Sequence, residues 1–329
     1  MLININMPRY HFKCSNLPTQ YNLAKFLKSY HWRSTHWQWL ADFSDKNLDF
    51  DIKAAETLEF KHLLAYLIQQ YCPEVMPVTH IINDLNFLEV IQLLSQSEQT
   101  HQQNWILKPA LLNNGQAIKI FTNLESVRLH FLNKQRLGGE HVLQQYIEPP
   151  HLLNGHKYSL RMFIILTNYW GNYLYPHGYF NVAKIPYQPN QFIDLRSHLT
   201  NEYLKENEGN VIQIPTERCE FFSPIYEQIQ NIVRKIIDAL RVGYPKAFIQ
   251  QKYEESKMAF FGFDFIVDSE FRVWLLEINH GPCFPIHPDH VLQKFLYQGF
   301  WRAVIENLVF PVVEKQSKKL ALQESFWKI

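Results

Sequence analysis

A chain of 329 residues, 47% hydrophobic and 19% charged, is longer than one typical domain and too apolar to stay unfolded. Its 32 basic residues offset 31 acidic ones to a formal net charge of +1, which excludes a global attraction to nucleic acid or to an acidic membrane. Four cysteines (Cys14, Cys72, Cys219 and Cys283) stand far apart without a CxxC pair, so they read as reduced thiols and not as a disulfide framework. Met1 to Phe12 lacks the continuous apolar run of a signal peptide, and no stretch approaches the roughly 20 apolar residues of a membrane span. The expectation is a cytoplasmic protein, in its own cell or a host's, with no membrane partner.

Aromatic residues reach 15%, and Trp32, Trp37 and Trp39 lie close together near the start. A helical pattern over 56–71 sets Leu58, Leu63, Leu64 and Leu67 on or near one stripe, and Cys72-Pro73 ends it. A second helix starts at Asn83 or Asp84, either of which can cap it, and carries Leu85, Leu88, Val90 and Leu94. Segment 104–121 reads as strand, loop, strand, with Asn113-Asn114-Gly115 as the turn. A helix follows over 124–136. Segment 140–147 is a strand stopped by Pro149-Pro150, and 158–166 suits a buried strand.

The clearest helix spans 223–241, with Ser223 as cap, Pro224 at the first position, and Ile225, Ile229, Ile232, Val233, Ile236, Ile237 and Leu240 at helical spacing. A further helix is expected over 289–308, and 314–319 reads as a solvated helix face. Strands and helices mix without strict alternation, so the fold class is α/β in the broad sense, or α+β.

The chemistry concentrates in 260–279. Two apolar runs around a short polar turn predict a hairpin. Alternation puts Phe263, Phe265 and Val267 on one face and Asp264 on the other; on the return strand Trp274, Leu276 and Ile278 share a face, and Glu277 and Asn279 the opposite one. With a four-residue loop, Asp264 and Glu277 lie opposite each other. Two carboxylates in such apolar strands either hold a cation between them or lie on a sheet face open to water, and spacing leaves both open. Oxygen-only ligands, with Asn279 beside them, suit magnesium.

The run Gly262-Phe263-Asp264-Phe265-Ile266-Val267-Asp268 followed by Trp274-Leu275-Leu276-Glu277-Ile278-Asn279-His280-Gly281-Pro282 resembles the closing signature of the tubulin–tyrosine ligase-like family. Three further stretches agree in the same order: Trp105-Ile106-Leu107-Lys108-Pro109, then Gln144-Gln145-Tyr146-Ile147 with Lys157-Tyr158-Ser159-Leu160-Arg161, then His198-Leu199-Thr200-Asn201. The resemblance covers about 104–284 and is loose before it. It implies an ATP-grasp fold divided as 1–70, a small N-terminal domain, 71–143, a central subdomain, and 144–329, a C-terminal subdomain that closes with it on ATP.

The resemblance also implies the roles. Adenine sits near Gln144, Gln145 and Ile147, and Lys108, Lys157 and Arg161 neutralise the phosphates, with Ser159, His198, Thr200 and Asn201 around the nucleotide. Asp264, Glu277 and Asn279 hold Mg2+, and Lys108, Arg161 and Glu277 carry the catalytic work. The implied reaction converts an acceptor carboxylate to an acylphosphate that an amino group attacks, as in tyrosination, glutamylation or glycylation of a protein tail. Departures are specific. Ser159 replaces an aspartate, Asn181 stands where the family carries an arginine, with Lys184 nearby as a compensating cation, and Gly115-Gln116-Ala117 replaces Gly-Arg-Gly. The helix near Asn83 lacks a basic residue the family places there.

Other chemistries lose support. No G-x-S-x-G, Walker-type or G-x-G-x-x-G motif occurs. His280, Cys283, His287 and His290 cluster, but three prolines make that segment a rigid connector, which disfavours zinc. Beside the ligase, two alternatives remain: an ATP-grasp enzyme of altered chemistry on a small-molecule carboxylate or by direct phosphotransfer, and a nucleotide-binding module without turnover.

Overall fold

The computed structural model describes residues 7–14, 16–96, 103–201, 203–205, 208–249, 256–314 and 325–329. The chain opens with a parallel three-stranded sheet of β1 (Arg9–His11), β2 (Arg33–Ser34) and β3 (Phe43–Ser44), with α1 (Pro18–Ser29) between the first two strands. Two helices follow where one was expected, α2 (Ile52–Glu59) and α3 (Lys61–Tyr71). Phe60 breaks them with extended dihedrals (φ −80°, ψ 118°), and the break lets the Lys61 amide donate to Ala110 O at 3.3 Å. Leu58, Leu64 and Leu67 are buried as the stripe required.

A four-stranded antiparallel sheet comes next, ordered β4-β7-β5-β6, from β4 (Thr79–Ile82), β5 (Trp105–Pro109), β6 (Lys119–Phe121) and β7 (His141–Gln145). It packs on α4 (Phe87–Ser95) and α5 (Leu124–Leu132) through Ile82, Ile91, Trp105, Leu107, Val127, Phe131 and Leu143. The second expected helix thus begins later than Asn83. The Asn83 side chain accepts from the amides of Leu85 and Asn86, at 2.8 and 3.1 Å, and this local turn delays the helix and leaves Leu85 exposed. Leu88 is exposed as well, and Ile91 and Leu94 supply the packing face.

The largest sheet is antiparallel. Its strands are β8 (Leu152–Leu153), β9 (His156–Thr167), β10 (Tyr173–Leu174) and β11 (Tyr179–Ala183); then, after a separate ribbon of β12 (Tyr203–Lys205) and β13 (Glu208–Gly209), β14 (Val211–Pro215), β15 (Met258–Val267), β16 (Val273–His280) and β17 (Trp327–Lys328). The long β9 pairs with β11 and β10 along one edge and with β15 along the other. One face, with Tyr158, Leu160, Met162, Ile164, Phe263 and Phe265, packs on α6 (Phe222–Gly243) through Ile225, Ile229, Val233, Ile236 and Leu240. Ser223 does not cap α6, which starts a residue earlier at Phe222 without a side-chain cap.

The other face changes character along its length. At one end Phe163, Ile165, Met258 and Phe260 pack under Phe284, Leu296, Phe300 and Trp301. The last three belong to a continuous helical stretch of π-turn Gln293–Tyr297, α7 (Gln298–Val304) and π-turn Ile305–Val309, later in its start than expected. Of the solvated face expected over 314–319, residues 315–319 lie outside the described residues. At the other end this face is polar, and that end forms the site. Helix α3 and strand β7 run through positions 70 and 143, where the sequence division placed its cuts.

Candidate functional site

Alternation on β9 builds the pocket floor. Lys157, Ser159 and Arg161 project from the face that Phe163 and Ile165 continue as core, while Tyr158, Leu160 and Met162 project into the opposite core. Strand β15 adds Asp264 and Ile266, β16 adds Glu277 and Asn279, and the four-stranded sheet faces them with Ile106, Lys108 and Gln144. Gln145, Ile147, His198, Thr200 and Asn201 line it as well, so every residue that the resemblance assigned to nucleotide, metal or catalysis borders this one pocket.

Asp264 pairs with Glu277 in the expected register, but a bulge follows: Phe265 pairs with Leu275, leaving Leu276 as the extra residue. The expected face of Trp274, Leu276 and Ile278 is therefore corrected. Val273 and Leu275 enter the core, Leu276 turns to the pocket, and Ile278 returns to the core. Asp268 holds the turn beyond. Its carboxylate accepts from the amides of Glu270 and Arg272, from Arg272 Nε and from Trp274 Nε1. Burial opposes its ionisation, but these four donors win and hold the carboxyl low.

The two carboxylates do not lie on an open face. Asp264 is buried, and Arg161 grips it with two hydrogen bonds, Nε to Oδ1 at 2.5 Å and Nη2 to Oδ2 at 2.6 Å. Asn279 Nδ2 adds a third at 3.1 Å to Oδ2. Lys61 Nζ stands 3.5 Å from Glu277 Oε2. Burial works to raise the Glu277 carboxyl, but Lys61, Lys108 and Arg161 outweigh it and keep it below its usual range. Asp264 is pushed up by burial against the pull of Arg161.

The lysines are desolvated. Lys108 Nζ donates to Gln144 Oε1 at 2.8 Å, and burial brings it down to about 8. Lys157 Nζ donates to Tyr146 Oη at 2.7 Å and lies 4.0 Å from that ring's centroid; burial brings it down to about 7. Tyr146 Oη in turn meets His198 Nδ1 at 2.9 Å, and His198 Nε2 meets Gln191 O at 3.0 Å. Both ring nitrogens of His198 are thus engaged by protein, and its part is to hold Tyr146 under Lys157. The amides of Gln145 and Tyr146 donate to Val78 O and Asn104 O.

Sequence reasoning missed Lys61, Tyr146 and Gln213. Lys61 is a buried lysine at the first turn of α3 that donates to Leu112 O at 2.8 Å and so ties Glu277 to the loop after β5. A lysine on an apolar stripe was its available signal. Gln213, on a strand the sequence reading did not predict, had none. Of the departures, Ser159 Oγ accepts from Thr200 Oγ1 at 2.8 Å, and Asn181 Oδ1 accepts from Gln213 Nε2 at 3.1 Å. Lys184 does not compensate for Asn181: it donates to Gly209 O at 2.7 Å and lies outside the pocket lining. Ala117 sits at φ +55°, a conformation strained for any side chain. Among the described residues no group of three His, Cys, Asp or Glu side chains is placed to hold a metal, and the His280 ring stacks on Phe261.

Two sheets with separate cores, facing each other across a pocket lined by buried cations and carboxylates, define an α/β fold of the ATP-grasp-like class. The family model described as "Tubulin-tyrosine ligase family" matches residues 57–319, and the chain belongs to that family. It is 24% identical over 335 residues to the probable tubulin–tyrosine ligase C12B10.04 of Schizosaccharomyces pombe, covering 90% of this chain and 77% of the relative. It is 27% identical over 268 residues to tubulin glycylase 3C of Tetrahymena thermophila, covering 70% and 23%. It is 25% identical over 238 residues to the human protein named inactive polyglycylase TTLL10, covering 63% and 34%. The chain thus spans about a quarter of the glycylase and a third of the human protein.

Proposed function

We propose that this chain is an ATP- and magnesium-dependent ligase that joins an amino acid to an acceptor carboxylate, with a protein tail as the acceptor class. The observation that carries the reading is the convergence of two buried lysines, Lys108 and Lys157, and the partly buried Arg161 on the same pocket as Asp264, Glu277 and Asn279. Buried lysines brought down toward neutrality without a carboxylate in hydrogen-bond contact fit an anionic ligand that restores their charge. The donor set of two carboxylates and one amide oxygen fits a hard divalent cation that shares its ligands with phosphates. Ile106, Tyr146 and Leu199, packed together on the pocket wall, fit the adenine ring.

In this reading Lys108, Lys157 and Arg161 hold the phosphates, Asp264, Glu277 and Asn279 hold magnesium, and the pocket lies between the proposed central and C-terminal subdomains. ATP supplies the phosphoryl group that activates the acceptor carboxylate as an acylphosphate with release of ADP, and the amine then attacks the acyl carbon and displaces phosphate to leave the amide. Arg161, oriented by Asp264, stabilises the developing negative charge, and Lys61 keeps Glu277 ionised and fixed. The names of the relatives, a probable tubulin–tyrosine ligase, a tubulin glycylase and a probable tubulin polyglutamylase, support a protein-tail acceptor.

The test is isothermal titration of ATP, with and without magnesium, into wild type and Glu277→Gln, then ADP release with glutamate, glycine or tyrosine. Magnesium-dependent binding that the substitution weakens, and release that needs an acceptor, support the ligase. Binding without release moves the chain to a nucleotide-binding module, and release without a gain of amino acid on the acceptor moves it to an ATP-grasp enzyme of altered chemistry, the reading that Ser159 and Asn181 favour. Absence of ATP binding sinks both.

A further inference from the structure

The charged residues do not fill the floor of the pocket. The register of the large sheet creates two rows of side chains two residues apart. In one row Glu277, Asp264, Arg161 and Tyr179 stand on neighbouring strands. In the other, Ser159 of β9, Asn181 of β11 and Gln213 of β14 stand abreast, and Thr200 continues the row by its bond to Ser159. All four line the pocket, and none carries a charge.

Gln213 Nε2 donates to Asn181 Oδ1 at 3.1 Å. That bond orients both amides and leaves Asn181 Nδ2 as a donor and Gln213 Oε1 as an acceptor on adjacent strands. We infer that this pair is the specificity element of the pocket: it reads a neutral carboxamide or peptide-amide group of the substrate and rejects a carboxylate at that position. The inference rests on the ligase reading above and names the chemistry that one end of the site accepts.

The argument is one of complementarity. An amide offers its carbonyl to Asn181 Nδ2 and its N–H to Gln213 Oε1. A carboxylate offers two acceptors, so one of them faces Gln213 Oε1 without a proton between them. Neither amide of the pair carries a charge to meet a carboxylate: Arg161, one row away, turns Nε and Nη2 to Asp264, Lys184 donates to Gly209 O, and Lys108 and Lys157 are the cations that the ligase reading assigns to the phosphates. A site built to hydrogen-bond one polar group rejects the analogue that leaves its own groups unpaired.

The test is calorimetric titration of L-glutamine and L-glutamate, which differ only in that group, into the full chain with and without ADP and magnesium. Wild type is expected to bind glutamine at least tenfold more tightly than glutamate. Asn181→Leu and Gln213→Leu each remove the preference by weakening glutamine, and Asn181→Arg reverses it. Equal or tighter glutamate binding by wild type, no binding of either amino acid, or a preference that survives Asn181→Leu overturns the inference. ADP is titrated into every variant. Unchanged ADP affinity confines the effect to the neutral row, and failure of ADP to bind wild type counts against the nucleotide reading alone, because the amino-acid titrations without nucleotide still decide this one.

Discussion

Arg161 and Asp264 are each other's counter-charge, and the pair shows how much one residue carries here. Both lie against apolar strands, so removing one leaves the other desolvated and unpaired. Arg161→Met is expected to cost about 3–5 kcal/mol of stability, read from the urea midpoint, because the buried carboxylate loses its partner. Lys108 and Lys157 make a pH prediction. Their folded-state values of about 8 and about 7 lie below the unfolded lysine value of about 10.4, so the unfolded chain binds more protons between those limits. The destabilisation from their burial is therefore full below pH 7 and fades as pH rises through that window. Ligand binding runs the other way, since a phosphate needs the ammonium form. ADP affinity is expected to fall about tenfold or more from pH 7 to pH 9, with proton uptake visible as a buffer-dependent heat. Affinity that stays flat over that range removes the lysines from the phosphate site.

At the scale of elements, the hairpin of β15 and β16 is held by its turn as much as by its strands. Asp268→Ala deletes four accepted hydrogen bonds and strands the Trp274 indole N–H, so a loss of about 2–3 kcal/mol is expected in thermal or chemical unfolding. The carboxyl is held low in the folded state, so its contribution is present above the unfolded value near pH 4 and lost as pH falls through the folded one. Strand β11 is placed by a close approach: a Cβ on Gly178 would run into the Arg161 carbonyl and the Met162 sulfur. Gly178→Ala is expected to lower stability by about 1–3 kcal/mol and, by shifting β9 at Arg161, to weaken ADP binding too. Retained ADP affinity in a destabilised variant would separate the sheet's packing from its role at the pocket.

For the whole molecule, the proposed nucleotide, by touching Lys108 on one sheet and Lys157 and Arg161 on the other, would link two bodies that otherwise have their own cores. ADP at a hundredfold excess over its Kd is expected to add about 2.7 kcal/mol, seen as a rise in Tm that Lys108→Met reduces.

The long apolar strands, helix α6 and the pairing of Asp264 with Glu277 were legible from periodicity, because each buries a face that only one spacing satisfies. The ordered motifs, through the family resemblance they carry, likewise marked residues that meet at the pocket, whereas strand alternation by itself sorted only the side chains of single strands into faces. The break at Phe60, the delayed start of α4 and the bulge at Leu276 were not legible. Each answers a partner distant in sequence or a local turn that competes with the regular element. The neutral row of Ser159, Asn181 and Gln213 exists only through register between strands far apart in the chain, and cross-strand register is a property of packing, not of any one segment.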